Sequence, residues 1–161
     1  MRNFDEEFEL LLKCKTPIIE VVTYEWQRLQ TILDRVSSKH NVPWKRWNCT
    51  VGIVDVNGDV TEIRDPLQVL KKFRESKDEM YLILENFNLY LPDKQIINLL
   101  FEIGKISKSL NKTLIIESCI LSVPDPLAKE IVVLNMPLPD KNFIRRIAVT
   151  VVSNYELSND K

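Results

Sequence analysis

This sequence predicts an α/β fold of three layers, with helices on both faces of a mainly parallel five-stranded sheet and a small β-hairpin insertion. Three observations predict it. Short β-branched or apolar runs alternate with amphipathic helical stretches along most of the chain. Two runs, Met80-Tyr81-Leu82-Ile83-Leu84-Glu85 and Thr113-Leu114-Ile115-Ile116-Glu117-Ser118, stay largely apolar until their last residues, the pattern of a strand buried on both faces. The length of 161 residues, with 45% apolar and 28% charged, suits one domain with a sizeable core.

Residues 3–13 place Phe4, Phe8, Leu11 and Leu12 at helical spacing behind three first-turn acids. Pro17-Ile18-Ile19-Glu20-Val21-Val22-Thr23 then reads as a buried strand. A helix over 24–39 lines Trp26, Leu29, Ile32, Leu33 and Val36 on one face and stops at His40-Asn41-Val42-Pro43. Residues 44–51 predict a second strand. Asn57-Gly58 between alternating valines predicts a tight hairpin within 52–63, with positive φ angles at the turn.

Asp65-Pro66 opens a helix that turns Leu67, Leu70 and Phe73 inward and runs to about residue 76. After the strand at 80–86 and a loop at 88–91, Pro92 opens the longest helix, to about residue 110, with Ile96, Leu99, Leu100, Ile103, Ile106 and Leu110 inward. The strand at 113–118 follows, then a turn at 122–127, a single helical turn through Ala128 and Lys129, and a last strand at 131–134. Asp140 caps a final helix in which Phe143, Ile144, Ile147 and Val151 share a face. The expected domain is 1–152, with 153–161 a frayed polar tail.

Several function classes are disfavoured. A net charge of −1 lacks the basic excess of a general nucleic-acid or membrane-surface binder. Cys14, Cys49 and Cys119 lie far apart and His40 is the single histidine, so neither a zinc site nor a disulfide framework is indicated. No run approaches the roughly 20 apolar residues of a membrane span. The N-terminus is acidic rather than signal-like, and the expected setting is reducing and cytoplasmic. Asp55 to Asp59 has acids and a glycine, but not the twelfth-position glutamate of a calcium loop. No G-x-S-x-G elbow exists for acyl transfer.

The candidate chemistry sits where buried strands end. Ligands of open α/β sheets bind outside the carboxyl ends of the strands, and Glu85-Asn86 and Glu117-Ser118 stand there. In nucleotide-hydrolysing proteins an acid at that position holds magnesium. The companion phosphate loop needs glycines after the first strand, because its backbone N–H groups wrap phosphate at φ values a Cβ resists. Here the first strand runs into Thr23-Tyr24-Glu25-Trp26-Gln27-Arg28, and the first glycine of the chain is Gly52. Tight ATP binding and hydrolysis by this chain are therefore not expected.

These segments carry a resemblance. The opening Phe4-Asp5-Glu6-Glu7-Phe8-Glu9 with Pro17 to Thr23, the stretch Tyr24-Glu25-Trp26-Gln27-Arg28-Leu29, and Asp65-Pro66-Leu67 leading to Glu85-Asn86-Phe87 resemble parts of one domain type. So does Leu121-Ser122-Val123-Pro124 with Pro137-Leu138-Pro139-Asp140. That type is the N-terminal domain of the AAA ATPases of algal plastids, cyanobacteria, related bacteria and viruses, a P-loop NTPase (AAA+)-like fold lacking Walker A. The resemblance covers most of residues 4–146. It implies a degenerate first domain, with the working ATP and magnesium site in a downstream module. It leaves open whether this is the front part of a longer ATPase or a stand-alone relative, and adds the plastid stroma as a possible location.

Carried over residue by residue, Glu85 takes the Walker-B acid position and Asn86 that of the hydrolytic glutamate; these two are the catalytic candidates. Tyr24 and Glu25, standing where Walker A would, and Glu117 and Ser118, near sensor 1, are the cofactor-binding candidates. Arg145 and Arg146 are candidate trans arginines toward a neighbour. The plainer reading is solvated strand-end acids and a solvated helix face.

Three functions compete. The first is a non-catalytic domain working through a protein partner or homo-oligomer, with no membrane. The second is a divergent ATPase using Glu85 and magnesium. The third is nucleic-acid binding through Trp44-Lys45-Arg46-Trp47 and the cluster of Lys71, Lys72 and Arg74, which the charge balance disfavours.

Overall fold

The computed structural model describes residues 3–106 and 110–159. Helix α1 is Phe4–Lys13, opened by the Asn3 side chain, which accepts a hydrogen bond from the Glu6 N–H at 2.9 Å. Strand β1 is Ile18–Val22 and helix α2 is Trp26–His40. Helix α2 begins two residues later than expected, because Thr23 Oγ1 accepts the Glu25 N–H at 2.8 Å and holds a non-helical turn there. It closes on Asn41 in the left-handed conformation, φ 55°.

Strand β2 is Trp44–Asn48. It stops short of residue 51 because Asn48 Oδ1 accepts the N–H groups of Thr50 and Val51 and turns the chain. Strands β3, Gly52–Asp55, and β4, Val60–Thr61, form the hairpin. Asn57 does not take a positive φ; Gly58 does, at 88°, while Asp55 Oδ1 accepts the N–H groups of Asn57 and Asp59. That is a longer loop than a two-residue turn, with one left-handed residue.

Helix α3, Pro66–Glu75, has Asp65 as its cap, accepting the Gln68 N–H at 2.7 Å. Strand β5 is Met80–Glu85, followed by a short 3-10 turn at Phe87–Leu89. Helix α4, Lys94–Ile106, starts after Asp93, whose carboxylate accepts the Gln95 N–H; the expected continuation through 107–109 lies outside the described residues. Strand β6 is Lys112–Ser118. A 3-10 turn at Asp125–Leu127 replaces the expected turn at Ala128 and Lys129, and strand β7 is Val132–Asn135. Helix α5, Lys141–Asn159, continues past residue 152 into the stretch expected to fray.

Among the described residues the sheet has seven strands, in the order β4-β3-β2-β5-β6-β1-β7. The five expected parallel strands are its body. The hairpin is not a separate excursion: β3 pairs antiparallel with β2, from Lys45 opposite Asp55 to Asn48 opposite Gly52, and extends the same sheet. Alternation along β5 and β6 builds a core on each face. Leu82, Leu84, Leu114 and Ile116 pack with Val69, Phe73, Leu100 and Ile103 of α3 and α4. Tyr81, Ile83 and Ile115 pack with Phe8, Leu12, Leu29 and Leu33 of α1 and α2. The three-layer architecture follows directly.

At the amino end of β6, Lys112 is buried, its ammonium donating to the Phe73 carbonyl and, at 2.5 Å, to the Ser76 carbonyl. It thereby satisfies carbonyls at the C-terminus of α3. The shared face of the last helix is not core. Ile144, Ile147 and Val151 are exposed, and the Phe143 side chain lies outside what is described.

Two glycines of the hairpin differ in a testable way. Both have positive φ, but a Cβ on Gly52 would meet the Thr61 carbonyl oxygen at 2.4 Å, whereas one on Gly58 meets nothing within 4 Å. Gly58→Ala should cost about 1 kcal/mol, the backbone penalty alone, and Gly52→Ala clearly more. Thermal denaturation checks this; equal losses in Tm for the two variants would contradict it.

Candidate functional site

The strand order reverses around β1. From β1 the chain crosses through α2 to β2, beyond β5 and β6, whereas β7 lies on the other side of β1. Crevices outside the carboxyl ends of strands at such a switch point are where α/β sheets bind ligands. A cleft of about 900 Å³ opens there. Tyr24, Glu25 and Trp26 come to it from the β1–α2 turn, Leu138 and Asp140 from the segment after β7, and Arg146 and Ile147 from α5.

The turn itself is built by polar contacts. Glu25 immediately precedes the first turn of α2, where unpaired N–H groups and the helix dipole favour an anion. Its carboxylate is held at 2.8 Å by Arg28, whose Nη1 also donates to the Pro137 carbonyl at 2.8 Å. One arginine thus ties the start of α2 to the segment leaving β7. Around this tie the wall is apolar and open, with Tyr24 74% and Leu138 78% exposed and Trp26 also exposed.

The strand-end acids form a second, separate group. Glu85 and Glu117 are register partners on β5 and β6. Glu85 Oε2 accepts from Asn48 Nδ2 at 2.9 Å and Oε1 faces Arg46 at 3.4 Å. Glu117 Oε2 is buried with no hydrogen-bond partner among the described residues. Burial, and then the neighbouring Glu85 charge, push the Glu117 carboxyl up to about 7. Asn86 adopts the left-handed conformation, φ 53°, and its N–H donates to the Glu117 carbonyl at 2.9 Å. Ser118 turns to Glu20, donating from Oγ to Oε1 at 2.7 Å.

The structure therefore brings Glu85, Asn86 and Glu117 together, and separately brings Tyr24, Glu25 and Arg146 together. Neither Glu85 nor Glu117 lines the cleft, and Arg145 lies exposed outside it. Sequence reasoning missed Asn48 and Glu20, and the parts that Arg28 and Arg46 play in holding Glu25 and Glu85. Glu20 had a signal, a charge in the middle of a β-branched strand, and it is fully buried with Oε2 unpartnered among the described residues. Arg46 and Asn48 had a weaker one, their two-residue spacing on a strand. Both tryptophans expected to serve a nucleic-acid surface are buried, on opposite faces. Trp44 donates to Asp34 Oδ1 at 2.8 Å and Trp47 to the Ile63 carbonyl at 2.6 Å. Of the second basic cluster, Arg74 is paired with Glu102 and Glu75.

A profile of the SpoVK-like AAA ATPase N-terminal domain matches residues 4–136. The chain belongs to that family. It is 30% identical over 148 residues to the AAA domain-containing protein ycf46 of Guillardia theta, covering 89% of this chain and 29% of that protein. It is 30% identical over 162 residues to ycf46 of Trieres chinensis, covering 98% of this chain and 33% of the relative. The chain thus spans about a third of the length of these relatives.

Among solved structures, a DNA replication initiation factor aligns with TM-score 0.59 at 13% identity, over 95% of this chain and 49% of that one. The Drosophila ORC bound to DNA aligns with TM-score 0.54 at 14% identity, over 88% of this chain and 44% of that one. At such identities the likeness shows the fold, that of AAA+ P-loop ATPases. No helix among the described residues is long and apolar enough to cross a membrane.

The carboxyl pair makes a pH prediction. Folded Glu117 holds its proton up to about pH 7, against 4.5 for an ordinary glutamate, so the folded state binds more protons between those values. Stability should fall as pH rises from about 4.5 to about 7 and then level off. Glu117→Gln should remove this slope and raise stability at pH 8 by on the order of 1 kcal/mol, or roughly 2–4 °C in Tm. Thermal melts across that range measure it; an unchanged slope in the variant would refute the assignment.

Proposed function

We propose that this chain is a non-catalytic AAA+-like domain, the N-terminal regulatory or assembly part of an AAA ATPase, acting through protein–protein contacts. The observation that carries the reading is the β1–α2 turn. On this reading the turn is a degenerate Walker A: no glycine stands in it, and the Glu25 carboxylate, which makes no capping hydrogen bond to α2, is held beside the helix start by Arg28. A phosphate brought there would meet like charge and a backbone bearing Cβ atoms.

The residues do not fit ATP and magnesium. Besides the turn, both Glu85 oxygens are engaged, by Asn48 and Arg46, and no group of three or more potential metal ligands exists among the described residues. ATP and magnesium belong, on this reading, to a downstream module of a parent protein. What the cleft offers instead is Tyr24, Trp26, Leu138 and Ile147 around a polar tie, the composition of an interface centre. A protein partner or a second copy fits it, with Arg145 and Arg146 as candidates for the facing subunit. A cytoplasmic or plastid-stromal setting goes with this reading.

Calorimetry with millimolar ATP and magnesium should give no binding heat. Sedimentation should show concentration-dependent self-association that the double variant Tyr24→Ala/Trp26→Ala weakens by about tenfold or more, as loss of two interface aromatics does. Phosphate release abolished by Glu85→Gln would overturn the reading in favour of a divergent ATPase.

A further inference from the structure

Large apolar side chains gather along one edge of the sheet, beyond the cleft itself. Strands β5, β6, β1 and β7 are parallel neighbours, so the segments leaving their carboxyl ends lie side by side. With strands about 4.8 Å apart, those segments span roughly 15 Å. They carry Leu89 after β5, Ile120 and Leu121 after β6, Tyr24 after β1 and Leu138 after β7. Every one of these is more than half exposed. Single exposed apolar residues are ordinary on a protein surface. Here each of these adjacent strands delivers one to the same edge.

Helix α5 carries a matching stripe. Ile144, Ile147 and Val151 share one face at helical spacing, and each is at least half exposed. From Ile144 to Val151 the stripe runs about 10 Å. It adjoins the row, because Ile147 lines the same cleft as Tyr24 and Leu138. The exposed parts of row and stripe together come to on the order of 800 Å², more than the roughly 300–600 Å² patch of a typical monomer and about what each partner buries in a stable interface.

We propose that a second copy of this chain covers this surface, the two copies being related by a two-fold axis, with α5 of each laid across the carboxyl edge of the other. An apolar helix face set on an apolar row is a recurrent mode of docking. The two-fold arrangement makes the contact twice, so each copy buries both its row and its stripe. This contact rests on the reading of the chain as a domain that works through protein–protein contacts, and specifies it.

The test uses two native thiols and two double variants. Cys119, beside Ile120, is exposed at the carboxyl edge, and Cys14, between α1 and β1, is exposed at the opposite edge. As the chain is concentrated, N-ethylmaleimide labelling of Cys119, read by peptide mass spectrometry, should slow severalfold while that of Cys14 stays constant. Ile120→Asp/Leu121→Asp, and separately Ile144→Asp/Ile147→Asp, should each weaken self-association in sedimentation by about tenfold or more, as loss of central apolar contacts does. All these positions are exposed, so a Tm matching that of the parent shows that each variant is folded. An equimolar mixture of the two variants should associate more strongly than either alone, as a 1:1 pair, because the intact α5 of one meets the intact edge of the other. Association kept by the edge variant alone would mean that helices pair with helices, and association kept by the α5 variant alone that edges pair with edges; either overturns the proposal. So does a mixture no more associated than its parts, an assembly larger than a dimer, or a chain that stays monomeric at millimolar concentration with Cys119 freely labelled, which leaves the surface to a different protein. The non-catalytic reading falls to a different result, phosphate release that Glu85→Gln abolishes.

Discussion

Everything in this molecule hangs on two adjacent strands that have no solvent face. Strands β5 and β6 pair in parallel from Met80 opposite Lys112 to Glu85 opposite Glu117. Between those ends Tyr81, Leu82, Ile83, Leu84, Leu114, Ile115 and Ile116 are buried. At roughly 1.5–3 kcal/mol for each large apolar side chain removed from water, this ladder needs cover on both sides. That need fixes α1 and α2 on one face and α3 and α4 on the other. Because parallel strands require crossovers, the same constraint determines where the helices lie in the sequence.

The same ladder sets the chemistry of the carboxyl edge. Polar side chains appear where apolar cover runs out, and parallel register brings Glu85 and Glu117 side by side rather than apart. The cost of two neighbouring carboxylates is met by asymmetry. Glu85 receives Asn48 and Arg46, while Glu117 keeps a proton into the neutral range. Glu85 is occupied by its neighbours, while Glu117 Oε2 stays buried without a partner among the described residues. At the turn after β1 Glu25 is paired with Arg28, which also ties down Pro137. The apolar groups left over, Tyr24, Trp26 and Leu138, face outward around the cleft.

Legibility in the sequence followed the reach of each interaction. The helices and parallel strands were readable because periodicity and caps act within a few residues, as at Asp65; the caps at Asn3 and Asp93 emerged only in the structure. Boundaries moved where a side chain bonded to nearby backbone in a way that periodicity does not encode. Thr23 delayed α2, and Asn48 ended β2 early. The hairpin was visible from Asn57-Gly58, but its place in the main sheet was not, because pairing of β3 with β2 leaves no mark on β3 alone. The exposed side of α5 was also hidden, since an apolar stripe states that a helix has a face to cover and not what covers it.

By itself the sequence determined the α/β class, the family through its run of motifs, and the lack of a glycine cradle after β1, because each of these is a local property of residue type and order. The tertiary structure alone decided the rest: that the hairpin joins the main sheet, that Glu85 meets Arg46 and Asn48 rather than standing open, and that both Trp44 and Trp47 are core. Those depend on contacts between residues distant in the chain, and only the packing of the layers specifies which of them form.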